Sequence, residues 1–389
     1  GTTTVQGTVI VTGTRALGAT GPGNGTTLSS GGRIDLNNVA YAEPETLTIQ
    51  GGQMFANSGS SSFPGAISVD SSGTAFIVLG TALTLDGVIS GTGAVQTQGL
   101  LTLTQANMLT GPITAGLGTL LVTGSTPAAS TVTSLAATLG GTGQIGGPTS
   151  VTGAGALAPG LVGGVGTLRT GNLSLAGVAR AEFDINGVTP GTQHDQADVT
   201  GTVSLGGATL VLSGSYVPTV GQTFVLIRND GADAVSGTFA GLAEGAILSF
   251  NGMPLQVSYT GGDGNDVVLS ALPDPAARIA VVPASVPEDG AGTLVYTVSL
   301  SRSVPTPTTV ALTVGGTATS GSDYTGGEMS VTVPANATSA SVTIDPTLDR
   351  VIEPDETVIL TVVAGPGYTL GESLVATGTI TNDDNAGVT

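Results

Sequence analysis

The residues with chemistry to offer are acids. Of 389 residues, 27 are Asp or Glu and 8 are Lys or Arg, every one of the latter Arg, for a net charge of −19. Thirteen of the acids fall in the last 117 residues, and they are grouped there: Glu288-Asp289, Asp323, Asp349 through Glu356, and Asp383-Asp384, each beside an expected strand end. Carboxylates gathered at strand ends offer oxygen ligands to a hard cation, but the same residue types also serve as solvated turn formers. The pattern alone leaves both open. The charge balance makes nucleic acid and anionic membrane poor partners and cations better ones.

Three other places could carry chemistry. Gly261-Gly262-Asp263-Gly264-Asn265-Asp266-Val267-Val268-Leu269 matches the calcium-binding nonapeptide of RTX repeats, in which stacked copies share each ion. This chain holds one copy, which better suits a turn and strand closing the first part of the chain. His194 lies near Asp195 and Asp198, yet no activated nucleophile motif accompanies it, and a solvated loop histidine is expected. A carbohydrate-active β-helix would need carboxylates clustered on one face. The acids before Pro273 are mostly isolated, as Asp35, Asp70 and Asp86 are, and stacking would have to bring acids one period apart together around a groove. The expectation is that the chain is not an enzyme.

The elements that must position these groups are strands. Hydrophobic residues make up 40% of the chain and mean hydropathy is +0.36, which argues for a folded protein in spite of 63 glycines. Apolar runs are short, as in Leu100-Leu101-Thr102-Leu103 and Ala208-Thr209-Leu210-Val211-Leu212, and are bounded by Gly, Asn or Pro. No stretch reads as an amphipathic helix, and no apolar run is long enough to span a bilayer. Aromatics are 3% and Trp is absent, so the core must be aliphatic; Cys is absent, which removes disulfides, thiolate catalysis and Cys-ligated zinc. The chain opens at Gly1 without a signal peptide, as expected of a processed or excised piece of something larger.

Leu272-Pro273-Asp274-Pro275 interrupts the strand pattern and divides the chain into residues 1–272 and 273–389. Before this boundary, short alternating strands recur between Gly-rich turns, as in Leu83 to Gly93, Gly118 to Gly124 and Gly171 to Gly177. Such strands cannot bury an inward face alone, so they must stack as a parallel β-solenoid. With rungs of about 20 residues, about 13 rungs are expected, forming a body about 60 Å long. After the boundary, about seven strands are expected, the count of a β-sandwich.

Two family resemblances sharpen this. Residues 91 to 126, from Gly-Thr-Gly-Ala-Val-Gln-Thr to Leu-Leu-Val-Thr-Gly-Ser-Thr, resemble the autotransporter-associated β-strand repeat. Leu157-Ala158-Pro159-Gly160, Asp195-Gln196-Ala197-Asp198-Val199 and Gly221-Gln222-Thr223-Phe224 are similar to the end of passenger regions that carry it. The resemblance implies a right-handed parallel β-helix at a bacterial surface, serving as stalk, adhesin or carrier. In the second part, Val286-Pro287-Glu288-Asp289-Gly290, Gly316 to Tyr324, Asp349-Arg350-Val351-Ile352-Glu353-Pro354-Asp355-Glu356 and Ile380-Thr381-Asn382-Asp383-Asp384 resemble the Calx-β domain, an antiparallel Ig-like β-sandwich. Carried over position by position, that resemblance implies that Glu288, Asp323, Asp349, Glu353, Glu356, Asp383 and Asp384 are Ca²⁺ ligands. Arg350 and Asn385 depart from the acids of the tight calcium sensors, which points to one or two weak sites.

The function expected is a cell-surface or extracellular-matrix structural or adhesive protein, calcium-stabilised and without membrane insertion in this fragment. Its ligand would be a surface glycan or protein. The alternative is a homo-oligomer or filament built by strand exchange, using Thr2 to Thr12 and the tail Asn385 to Thr389. The tail also resembles a junction into another Calx-β copy.

Overall fold

The computed structural model describes residues 1–18, 21, 24–75 and 81–384. Among them there is no helix, and so none long and apolar enough to cross a membrane. The expected tail 385–389, with Asn385, lies outside the described residues. Contacts divide the chain into one unit of Gly1–Ala246 with Gln256–Ala271, and another of Ile247–Leu255 with Leu272–Thr389.

The first unit is a parallel β-solenoid. Its six-stranded sheet stacks Thr2–Val5, Gly25–Leu28, Leu47–Ile49, Ile67–Val69, Ile89–Gly91 and Met108–Leu109. A second, 16-stranded sheet carries most of the other rungs. Because side chains alternate across a strand, every second residue points inward, and equal register places like on like. Leu83, Leu101, Leu120, Leu139 and Leu157 follow one another as register partners, all at most 3% exposed. A parallel row, Val95, Ile113 and Val132, lines a neighbouring wall.

Corners need glycine. In Ile113–Val122 the strand pairs with two different predecessors on either side of Gly118, whose φ is +82°; a Cβ there would lie 2.4 Å from the Gly99 carbonyl oxygen. The rung keeps near the expected length through the first part of the stack, as where Leu47 stacks on Ile67, 20 residues on, and lengthens later. Ala82 stacks on Leu100, 18 residues on, whereas Arg180 stacks on Thr209 and Leu173 on Val203, after 29 and 30. Loops inserted into the later rungs consume chain, so about 13 equal rungs was too many. The stack ends where Thr223–Asn229 pairs antiparallel with Asp266–Ala271, a strand whose first four residues are the last four of the nonapeptide.

Residues Thr2 to Thr12 are not a free arm. Thr2–Val5 pairs with Gly25–Leu28 and Thr8–Val11 with Arg33–Asn37, which makes them the first rung, with Val5 and Val11 buried.

The second unit has two five-stranded sheets. One runs Tyr324–Gly326, Ser339–Pro346, Leu294–Leu300, Ala276–Val282 and Thr369–Leu370; the other runs Ser285–Pro287, Val375–Thr381, Glu356–Val362, Thr308–Gly316 and Ser330–Val333. Strict alternation in Leu294–Leu300 sends Leu294, Tyr296, Val298 and Leu300 into a core shared with Val310, Leu312, Val358 and Leu360. Tyr296 ties the sheets together: its hydroxyl donates to the Val358 carbonyl at 2.7 Å and accepts from the Gly378 N–H at 3.0 Å. Ten strands replace the expected seven because three short edge strands escape the alternation pattern.

Candidate metal centre

Register brings the acids together. Ser285–Pro287 runs parallel to Val375–Thr381 with Pro287 beside Thr381, so Glu288 and Asn382 leave the sheet side by side, and the Glu288 N–H donates to the Thr381 carbonyl at 3.0 Å. Glu356 opens its own strand opposite Ile380. Tyr324 pairs with Pro346, which places Asp323 against Thr347, whose N–H donates to the Asp323 carbonyl at 2.9 Å. Asp323 closes its turn by accepting from the Thr319 N–H at 2.5 Å.

Asp323, Glu353 and Glu356 each offer a carboxylate oxygen, all within 4.8 Å of one another. With Glu288, Pro354, Ile380 and Asn382 they line a recess of about 10 Å³, the room of one water-sized atom. Four of the seven expected ligands meet there. The other three, Asp349, Asp383 and Asp384, are not members of that three-acid group. Asp383 Oδ1 accepts from the Asp289 N–H at 3.2 Å, and Asp349 Oδ1 from the Val351 N–H at 2.6 Å. Asp384 Oδ2 is buried without a hydrogen-bond partner.

The electrostatics follow from crowding. Loss of water raises the Glu356 carboxyl to about 7, reinforced by its hydrogen bond to Asp323 and by the charges of Asp323, Glu353 and Glu288. Burial raises Glu288 too, followed by repulsion from Asp349, Glu353, Asp384 and Asp289. Asp384 is raised by desolvation and then by Asp289, Asp349 and Asp383, with Arg350 acting the other way. A proton on Glu356 relieves this repulsion, and so would a cation. The donors are carboxylates and the Asn382 amide, without a nitrogen ligand or thiolate, and an orphaned carboxylate oxygen stands beside them; hard cations such as Ca²⁺ fit this set.

Sequence reasoning missed Asn382 and Asp289. Asn382 Oδ1 accepts from the Glu353 N–H at 3.5 Å and its own N–H donates to Asp355 Oδ1 at 3.1 Å, so it holds the Glu353 loop over the recess. Both stand inside the motifs that carry the Calx-β resemblance, but only positions equivalent to acidic ligands were carried over.

The solenoid holds a second group of acids. Glu182, Asp184 and Asp195 line a groove of about 380 Å³ together with Ser213, Thr119 and Thr138. Asp195 is 3% exposed and accepts from the Gly166 and Asp184 N–H groups at 2.8 and 2.9 Å; burial nevertheless raises it to about 7. Asp184 accepts from the Ser213 hydroxyl, and Glu182 pairs with Arg180 at 2.9 Å. His194 is not the solvated residue expected. It is 1% exposed, its ring edge-on to Phe224 with centroids 5.6 Å apart, and burial lowers its pKa.

No family model matches the chain, and no curated protein does. Among solved structures, the chain is similar to CBD12 from CALX1.2 at 24% identity and a TM-score of 0.24, over 28% of this chain and 44% of that one. The apo form of the Calx CBD1 domain is similar at 23% identity and 0.25, over 28% of this chain and 99% of that one. The calcium binding domain CBD12 of CALX1.1 is similar at 24% and 0.24, over 28% and 45%. This chain therefore spans less than half the length of either CBD12 structure.

Proposed function

We propose that the chain is an exported structural or adhesive protein of a bacterial surface or extracellular matrix, and not an enzyme. In this reading residues 1–272 form a right-handed solenoid of autotransporter-associated repeats that acts as a spacer. Residues 273–389 form an Ig-like, Calx-β-like sandwich clamped by Ca²⁺. The observation that carries the calcium assignment is the convergence of Asp323, Glu353 and Glu356 within 4.8 Å around a recess also lined by Glu288. Glu288, Asp323, Glu353 and Glu356 are the inner ligands; Asp349, Asp383 and Asp384 supply an outer, weaker set. Thermal unfolding of the chain with millimolar calcium and with chelator tests the clamp. Calcium should raise the transition of the second unit, and Glu353→Gln with Glu356→Gln should abolish that shift; an unchanged transition in the parent chain defeats the reading.

One observation favours a different class. Glu182, Asp184 and Asp195 surround a groove on the solenoid, as a carbohydrate-active β-helix would require. All three already have protein partners, which supports a structural role. Release of reducing ends from a panel of acidic and neutral polysaccharides, lost in Asp184→Asn, would move the assignment to that class. The filament alternative no longer rests on an exchanged N-terminal arm; it rests on the outer edge of the first rung, an open strand edge among the described residues.

A further inference from the structure

The turn that closes the solenoid and the strand end beside it hold two buried oxygens without a hydrogen-bond partner. Pairing of Thr223–Asn229 with Asp266–Ala271 sets Asn229 against the turn 261–266. Asn229 and Asn265 are 1% and 4% exposed. Asn229 Nδ2 donates to the Asp233 carbonyl at 2.8 Å, and Asn265 Nδ2 donates to the Asp233 and Asp230 carbonyls at 3.0 and 3.1 Å. These acceptors fix both amides, because a flipped amide would set oxygen against carbonyl oxygen. Both Oδ1 atoms are thereby turned away from that loop, and neither has a hydrogen-bond partner.

A carboxylate is held at the same place. Asp266, 6% exposed, follows Asn265 in the chain and accepts from the Asn229 N–H at 2.9 Å through Oδ1. Its other oxygen lies over Gly262, where a Cβ would come within 1.9 Å of it, so the glycine is what lets the carboxylate sit against the turn. Burial raises the Asp266 carboxyl, and Asp263 on the same turn adds to this. Unpaired amide oxygens buried beside a carboxylate are costly unless something positive or a water joins them. Oxygen donors of this kind suit a hard cation.

We infer that this turn binds one hard cation, calcium by ligand type, through Asn229 Oδ1, Asn265 Oδ1 and Asp266. The site is separate in residues and in unit from the acids around Glu353. A single nonapeptide copy, which has no stacked neighbour to share an ion with, obtains its further oxygens from Asn229 at the end of the adjacent strand.

The test is calorimetric titration of calcium chloride into the full chain carrying Glu353→Gln and Glu356→Gln, which takes the inner ligands of the second unit out of the count. Calcium binding should remain, and adding Asp266→Asn should lower it by one calcium per chain, since the amide still accepts from Asn229 but brings no charge. If the double variant retains no calcium, water alone satisfies the two amides and the inference is overturned. Calcium retained undiminished after Asp266→Asn overturns it equally. Should circular dichroism show Asp266→Asn to be unfolded, Asn229→Ala decides in its place: binding weakened about tenfold or more supports the site, and unchanged binding overturns it.

Discussion

Asp198 in the solenoid and Glu288 in the second unit are equally buried, each 6% exposed, but their surroundings differ. Asp198 accepts from Arg228 through two bonds of 3.0 and 2.8 Å, with Arg169 at 3.4 Å from the same carboxylate. Glu45, 2% exposed, accepts from the Thr26 and Tyr41 hydroxyls at 2.5 and 3.1 Å. The pairs Arg15–Glu43, Arg33–Asp35, Arg180–Glu182 and Arg228–Asp198 likewise lie in the first unit. Glu288 instead has Asp349, Glu353, Asp384 and Asp289 acting on it, and every one of them raises it. An acid buried for architecture comes with its donors. On the proposed reading, a group of acids whose members are largely one another's neighbours awaits a charge that arrives from solvent.

The largest effect should come from the apolar ladder, which owes nothing to ions. Leu120, fully buried between Leu101 and Leu139, should cost about 2–5 kcal/mol of solenoid stability on substitution to Ala. Equilibrium unfolding should show that loss undiminished by calcium or chelator, with the second unit unaffected. Calcium at 100 times its dissociation constant should then add about 2.7 kcal/mol to the second unit, read as a rise in its thermal transition; a rise that persists in Glu353→Gln/Glu356→Gln would erase the contrast between the units. Next comes Asp198→Asn, which removes the charge that Arg228 and Arg169 share. Because Arg228 is about half exposed, the expected loss is about 1–2 kcal/mol. High salt should shrink it and calcium should leave it alone.

The contrast was only partly legible in the sequence. Alternation in Leu83 to Leu85 and Leu100 to Leu103 announced the ladder, and Gly at the corners announced the turns, because both are local. Rung number was not legible, since the inserts that lengthen the later rungs interrupt no pattern. Thr2 to Thr12 alternates equally well as an arm or as a rung, and only its pairing with Gly25–Leu28 and Arg33–Asn37 decides. His194 sits in a polar stretch, and what buries it is Phe224, 30 residues later and one long rung on. For the acids, strand-end placement was visible, but which of them meet depends on register between distant strands. Pro287 beside Thr381, Tyr324 beside Pro346 and Glu356 opposite Ile380 bring Glu288, Asp323 and Glu356 to the recess, while Asp349, Asp383 and Asp384 stay outside its lining.

The smallest effect, and the one that divides the units most finely, is on pH. Each unit has one carboxyl raised to about 7, Asp195 in the solenoid and Glu356 in the other. For a raised acid, the stabilising contribution is whole below the ordinary carboxyl value, where both states are protonated. It is lost as pH climbs toward 7, because the unfolded chain releases its proton first. In metal-depleted buffer both transitions should therefore fall between about pH 4 and pH 7. Calcium should distinguish them. At Glu356 the cation takes the place of the proton, so saturating calcium should flatten or reverse the slope of the second unit, and Glu356→Gln should remove it. At Asp195 the cause is burial within the solenoid wall, so in a chain carrying Asp266→Asn, which removes the cation site proposed at the turn 261–266, the solenoid slope should be indifferent to calcium and vanish in Asp195→Asn. Thermal unfolding across that pH range with and without calcium, in the Asp266→Asn background, checks both; a solenoid slope there as sensitive to calcium as that of the second unit would mean that the groove at Glu182, Asp184 and Asp195 also takes a cation.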